Sequence, residues 1–235
     1  MNAIFKREFK AYFRGMTGYI FVAALLLFFG ALAAVYNFVG LSSSLTAAMG
    51  DMVLVMAVIA PIITMNVIAK ERRGGTYRLL YSLPLTSAQI VLGKYFALLA
   101  LLAIPVAAMA TLPLIFGMFG AVNVFGSYST IFCFYLFGAA LLAICMFISS
   151  LSDNSVVGMI LNFAILVALF AANSFLSLLP VGSVAEKLLS VFGIFKNILP
   201  FTYGLFDVTS VIYYLCVIVL FVILTVRSYE KKRLA

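Results

Sequence analysis

Residues 70–94 read Lys70-Glu71-Arg72-Arg73-Gly74-Gly75-Thr76-Tyr77-Arg78-Leu79-Leu80-Tyr81-Ser82-Leu83-Pro84-Leu85-Thr86-Ser87-Ala88-Gln89-Ile90-Val91-Leu92-Gly93-Lys94. The stretch carries five basic residues, and charge-free runs flank it at 52–69 and 95–152. A run of about 20 apolar residues spans a bilayer as a helix, so the segment is a polar connector between membrane helices. Gly74-Gly75 can end the preceding helix with a positive-φ residue. Thr76 can cap a short helix carrying Tyr77, Leu80 and Tyr81, and Pro84 stops it. Thr86 and Gln89 have the spacing of a capping box that opens the next helix. Helix, break, short helix, break, helix is more than a plain connector needs, and its charge and aromatic content suit docking onto another protein.

Outward from this segment, the chain remains membrane-like. Of its 235 residues 66% are apolar and 9% charged, against about 45–50% and 25% in soluble domains. Further charge-free intervals run over 15–50, 154–185 and 208–226. The long interval 95–152 holds two helices, divided near 117–129 by glycines, Asn123 and serines. Six spans result, at about 17–39, 49–69, 93–117, 129–151, 155–179 and 207–227, with ends soft by ~2–4 residues. The fold class is an all-α polytopic membrane protein with one transmembrane domain over 1–235. The basic start followed by a long apolar run reads as a retained helix rather than a cleaved signal.

Lys and Arg set the orientation. Lys6, Arg7, Lys10 and Arg14 share a side with the bases of 70–94 and with Arg227, Lys231, Lys232 and Arg233; only Lys187 and Lys196 lie opposite. Both termini and the 70–92 loop are therefore expected on the cytoplasmic side of a bacterial inner membrane. Residues 1–14 place Ile4, Phe5, Phe9, Tyr12 and Phe13 on one helical face and Lys6, Arg7, Lys10 and Arg14 largely on the other, the pattern of a helix lying at the membrane surface. Residues 180–206 are too apolar for a free external loop and read as a re-entrant segment against the bundle. The turn at 147–155 joins two helices, with Asp153 and Asn154 as caps.

The absences are informative. No histidine occurs, which removes His-based acid–base and nucleophilic catalysis; Cys133, Cys145 and Cys216 have no metal or redox spacing; and no G-x-x-x-x-G-K-[ST] loop is present. The chain is therefore expected to be no enzyme and to hold no cofactor. The seven acids fall at or beyond span ends, unlike the midplane acids of ion-driven transporters. Two readings stand for Asp51, an exposed outer mouth and a substrate path. Intramembrane amides bond between helices or touch substrate, and on the second reading Met52, Met56, Asn66, Asn162 and Asn173 are the path candidates. A path of Phe and Met with few polar groups suits lipids, amphipathic drugs or apolar peptides. The net charge of +8 is placed for a membrane rather than for nucleic acid.

Glu71-Arg72-Arg73-Gly74-Gly75-Thr76, then Leu79-Leu80, Pro84, Thr86 and Gly93-Lys94, resembles the signature after the second helix of type-2 ABC transporter permeases. The start Phe5-Lys6-Arg7-Glu8-Phe9-Lys10 and the turn at 147–154 resemble the gliding-motility-type (GldF-like) branch of that family. The resemblance implies an ABCG-like, type V exporter fold in a permease dimer, homo- or heteromeric, driven by a dimer of separate ABC ATPase chains that bind ATP and Mg. It makes 1–14 the connecting helix, 180–206 the external re-entrant segment, and spans two and five the walls of the path. It assigns ATPase coupling to Lys70, Glu71, Arg72, Arg73, Gly75, Thr76, Tyr77, Arg78, Leu80 and Tyr81. An auxiliary membrane subunit with an external domain would be a separate chain. The rival reading is a non-transporting scaffold that recruits cytoplasmic partners through the same loop.

Overall fold

The computed structural model describes residues 2–39, 45–65, 67, 86–119, 123–152, 154–176 and 193–234. The described elements are α1 (Asn2–Arg14), α2 (Thr17–Ala33) with a π-helical extension (Ala34–Val39), α3 (Thr46–Thr64), α4 (Ser87–Met109), α5 (Leu112–Phe119), α6 (Val124–Leu151), α7 (Ser155–Leu176), α8 (Leu199–Thr202) and α9 (Val208–Leu234). Among the described residues every regular element is helical. Six helices, built on α2, α3, α4, α6, α7 and α9, are long and apolar enough to cross a membrane.

The fourth of these, α6, is the hub. Over its most apolar stretch 83% is buried, against 17% in α7 and 22% in α9. Small residues let neighbours approach it closely: a Cβ on Gly138 would lie 2.8 Å from a Leu102 methyl of α4 and 3.3 Å from the Met56 methyl of α3. In a bilayer, where apolar burial gives little drive for association, such close packing and interhelical hydrogen bonds hold helices together. Tyr95 donates to the Ala139 carbonyl at 3.0 Å, and Tyr135 to the Leu99 carbonyl at 3.4 Å, lacing α4 to α6.

The helix starts follow local chemistry. The Thr86 hydroxyl accepts from the Gln89 amide and the Gln89 side chain accepts from the Thr86 amide, so both halves of the capping box are present. The Asn154 side chain accepts from the Val156 amide at 3.1 Å to open α7; Asp153 lies outside the described residues. Two span starts differ from the expectation. The third span begins at Ser87, at its Thr86 cap, rather than near residue 93. The fourth span begins at Val124, not near residue 129, because Asn123 caps it through the Gly126 amide at 3.0 Å. Gly126, Ser127 and Ser129 lie inside the first turns of the helix and do not break it. Ser127 bonds back to the carbonyl of Asn123, which neutralises its hydroxyl within a helix; the single Thr130 proton lies between the Gly126 and Phe201 carbonyls.

The amphipathic α1 stacks Phe5, Phe9 and Phe13 at centroid distances of 5.9 and 5.1 Å and packs on α4 and α2. It meets α2 through Met16, whose φ of 57° is a left-handed elbow, a strained geometry for a side-chain-bearing residue. Just beyond it a Cβ on Gly18 would lie 3.0 Å from the Tyr12 carbonyl oxygen, so the tight elbow needs glycine.

Residues 193–202 tuck into the bundle end formed by the starts of α3 and α6. Ile194, Phe195, Ile198 and Phe201 are buried. Tyr214 donates to the Ile194 carbonyl at 2.8 Å and Thr130 to the Phe201 carbonyl at 2.6 Å. Phe195 meets Phe137 and Phe170 edge-on at 5.6 and 5.5 Å. Pro200 lies in the first turn of α8, a position where its missing N–H is harmless.

Candidate functional site

The most polar buried arrangement lies where the chain leaves α3 and re-enters at α4. Lys94 is eight residues past the Thr86 cap, so two helical turns inside α4, and only 1% of it is exposed. It is therefore a helix residue rather than the closing charge of a loop. Its Nζ donates to the Val67 carbonyl, just beyond α3, at 2.8 Å. The Glu8 carboxylate of α1 lies 3.7 Å away and accepts from Arg7 at 2.6 Å. A buried charge is expensive unless paired and hydrogen-bonded; here a carbonyl and a carboxylate meet it. One ammonium thus joins three pieces of chain: the surface helix, the exit from span two and the first turns of span three.

That junction is the root of the segment the sequence analysis singled out. Lys70, Glu71, Arg72, Arg73, Gly75, Thr76, Tyr77, Arg78, Leu80 and Tyr81 lie outside the described residues, as does Asn66. Thr86 and Val67 are the described residues nearest to them on either side. Among the surface bases, Arg7 pairs with Glu8, while Lys6, Lys10 and Arg14 belong to α1, which ends on Arg14.

Of the path candidates, Met52, Met56 and Asn162 have described side chains, and all three are buried. Met52 and Met56 are fully buried in the core around α6. Asn173 lies on α7. Asn162 is on the buried stripe of α7 with Gly158 and Leu166, and Gly158 faces Ser149 and Ser152 at the end of α6. Asn162 is 0% exposed, and neither its amide nitrogen nor its oxygen has a hydrogen-bond partner. An unmade bond of this kind costs about 1–3 kcal/mol. It leaves a polar group on the buried stripe of α7, a helix that packs on α6 and α3.

At the opposite end, Tyr36 in the π-helical segment donates to Asp51 of α3 at 2.6 Å. Asp51 is exposed. Single π-helical turns often occur at functional sites, and this one aims a phenol at the one acid near the start of α3. Asp207 caps α9: the Ser210 hydroxyl, with the Thr209 and Ser210 amides, bonds its carboxylate and holds it below the usual carboxylate range.

The Glu8–Lys94 contact is readable in part from the sequence. A helix opened at Thr86 puts Lys94 two turns deep, and a cation there demands a partner. Which acid answers is not visible, because Glu8 lies in a different helix far away along the chain. Tyr36 and Asp51 leave a similar partial signal: an acid at the end of a span calls for a donor.

The chain matches the family model described as ABC-2 family transporter protein over residues 2–234. No curated protein matches it.

Proposed function

We propose a function from an established premise: the chain belongs to the ABC-2 transporter family. Such a chain is the multi-pass membrane component of an ABC transporter, working with an ABC ATPase and not itself the ATPase. On our reading it is the permease of an ATP-driven exporter in the bacterial inner membrane, with both termini cytoplasmic. It acts as a homo- or heterodimer within the gliding-motility-type branch, with room for an auxiliary subunit. ATP and Mg bind to the partner. Residues 70–81 dock in a cleft of the ATPase, with Arg72, Arg73 and Arg78 as charged contacts and Tyr77, Leu80 and Tyr81 as the packed face.

The observation that carries this reading is Lys94. A force on the docked segment reaches the membrane through its two roots, Val67 and Thr86. The buried ammonium ties the first root to α4 and α1, so the loop, the surface helix and spans two and three move as one block. ATPase closure then favours one arrangement of the two permease bundles over the other, and that difference in affinity is the coupling. Spans two and five line the route, and the unpartnered amide of Asn162 offers hydrogen bonds to an amphipathic substrate as the seam between α3 and α7 opens.

The test replaces Arg73 and Tyr77 by cysteine, one at a time, and crosslinks each to cysteines in the ATPase cleft. We expect crosslinks that change with nucleotide, and reduced stimulation of the ATPase in Glu71→Gln and Arg73→Gln with normal assembly. Absent crosslinks would remove the docking assignment. Crosslinks without ATP-dependent flux in reconstituted vesicles would make the chain a scaffold.

A further inference from the structure

A groove of about 760 Å³ runs between α4, α6 and α9, within the ~300–1,000 Å³ of small-ligand sites. Its wall is apolar along α9 from Leu215 to Val226, a length of about 17 Å at 1.5 Å per residue. That is close to half of the ~30 Å hydrocarbon core, so the apolar part is one leaflet deep. Tyr95 and Tyr135 line its floor with their hydroxyls already committed to backbone carbonyls, which leaves the interior dry.

The mouth is different. Arg227 and Glu230 close the groove at the end of α9 that leads into the basic tail. Both are exposed, and neither pairs with the other or with any described residue. Residues three apart on a helix are neighbours, about 5–6 Å between Cβ atoms. One cation and one anion are thus held side by side at headgroup depth, above a slot for a single chain.

We propose that this groove binds a phospholipid whose headgroup carries both a phosphate and a primary ammonium. The acyl chain fills the slot, Arg227 takes the phosphate and Glu230 accepts from the ammonium. A choline headgroup has no N–H to offer Glu230, and a glycerol headgroup has no cation. The charge pair therefore selects an amine-headed zwitterionic lipid over both, where a lone arginine would favour any phosphate.

The chain contains no tryptophan, so an introduced one reports cleanly. Phe96→Trp places a probe in the groove wall, and Phe28→Trp on an exposed face of α2 serves as reference. The full-length chain is reconstituted in vesicles of mixed phosphatidylethanolamine, phosphatidylcholine and phosphatidylglycerol, with one lipid at a time carrying brominated chains. At the groove probe we expect brominated phosphatidylethanolamine to quench as if favoured about threefold to fivefold over the other two, the range exposed ionic contacts give. No preference is expected at the reference probe. Glu230→Gln should abolish the preference over phosphatidylcholine and phosphatidylglycerol, and Arg227→Gln should weaken quenching of the groove probe by all three lipids. Equal quenching by all lipids at both positions would overturn the proposal, as would a phosphatidylglycerol preference indifferent to Glu230. A groove probe shielded from every lipid would mean that a protein helix fills the groove, and would overturn it as well.

Discussion

The two ends of the bundle are fastened by different chemistry. At the far end Phe201 and Ile194 are buried, and their carbonyls accept from the neutral hydroxyls of Thr130 and Tyr214. At the loop root the fastening is a buried ammonium shared between a carbonyl and a carboxylate on another helix. A neutral apolar plug has one good arrangement and resists displacement, since interiors are close-packed and do not deform smoothly. An ionic junction tolerates a change of partner geometry, because charge attraction falls off slowly with distance. On the proposed function, the far end fixes the bundle and the root end transmits motion.

Four substitutions separate these roles. Phe201→Ala should have the largest effect on stability, about 3–5 kcal/mol by the usual penalty for emptying a buried aromatic site. Unfolding of the purified chain in SDS mixtures measures it, and permease molecules that remain folded should still stimulate the ATPase. Gly18→Ala comes next, about 1–3 kcal/mol. Its new methyl meets Tyr12 backbone rather than a movable side chain, so α1 must shift; spin labels on α1 and α4 should report a changed distance. Glu8→Gln should destabilise by about 1–2 kcal/mol, because Lys94 keeps the Val67 carbonyl while losing its carboxylate. Unlike Phe201→Ala, it should reduce ATPase stimulation in molecules that remain folded.

The smallest effect belongs to Asp207 and is visible mainly in acid. Its carboxyl is held below the usual range by the Ser210 hydroxyl and the helix-start amides. A depressed folded value means the stabilisation is present above the unfolded carboxylate pKa of about 3.9 and is lost as pH falls through the folded value. Melting curves of the unchanged chain and Asp207→Asn should thus differ slightly at pH 6 and converge as pH falls through the folded value. A gap that persists in acid would show that the cap acts through something other than its charge.

The six spans are legible because charge-free length is a one-dimensional signal, and the capping box at Thr86 and Gln89 because its partners are three residues apart. The start of α6 is not, because serines look like breaks in sequence, yet inside a helix Ser127 satisfies itself on the preceding turn. The apolar character of 193–202 announces burial, but Thr130 and Tyr214 as its hydrogen-bond donors cannot be read from a linear pattern. Charge counting along the chain makes Lys94 one more loop charge, and only its distance from the Thr86 cap signals its depth. The groove mouth at Arg227 and Glu230 is invisible for the same reason: both sit in a tail whose bases read only as topology signals. The coupling residues of 70–81 rest on their motif alone.

The most direct test of the account is ATP hydrolysis by the co-purified complex carrying Lys94→Met, which keeps an unbranched side chain one atom shorter and removes its charge. With permease and ATPase recovered in unchanged proportion, the account predicts that permease-dependent stimulation falls at least about tenfold, the equivalent of ~1.4 kcal/mol of coupling. Stimulation at the unchanged level in an intact complex would contradict it.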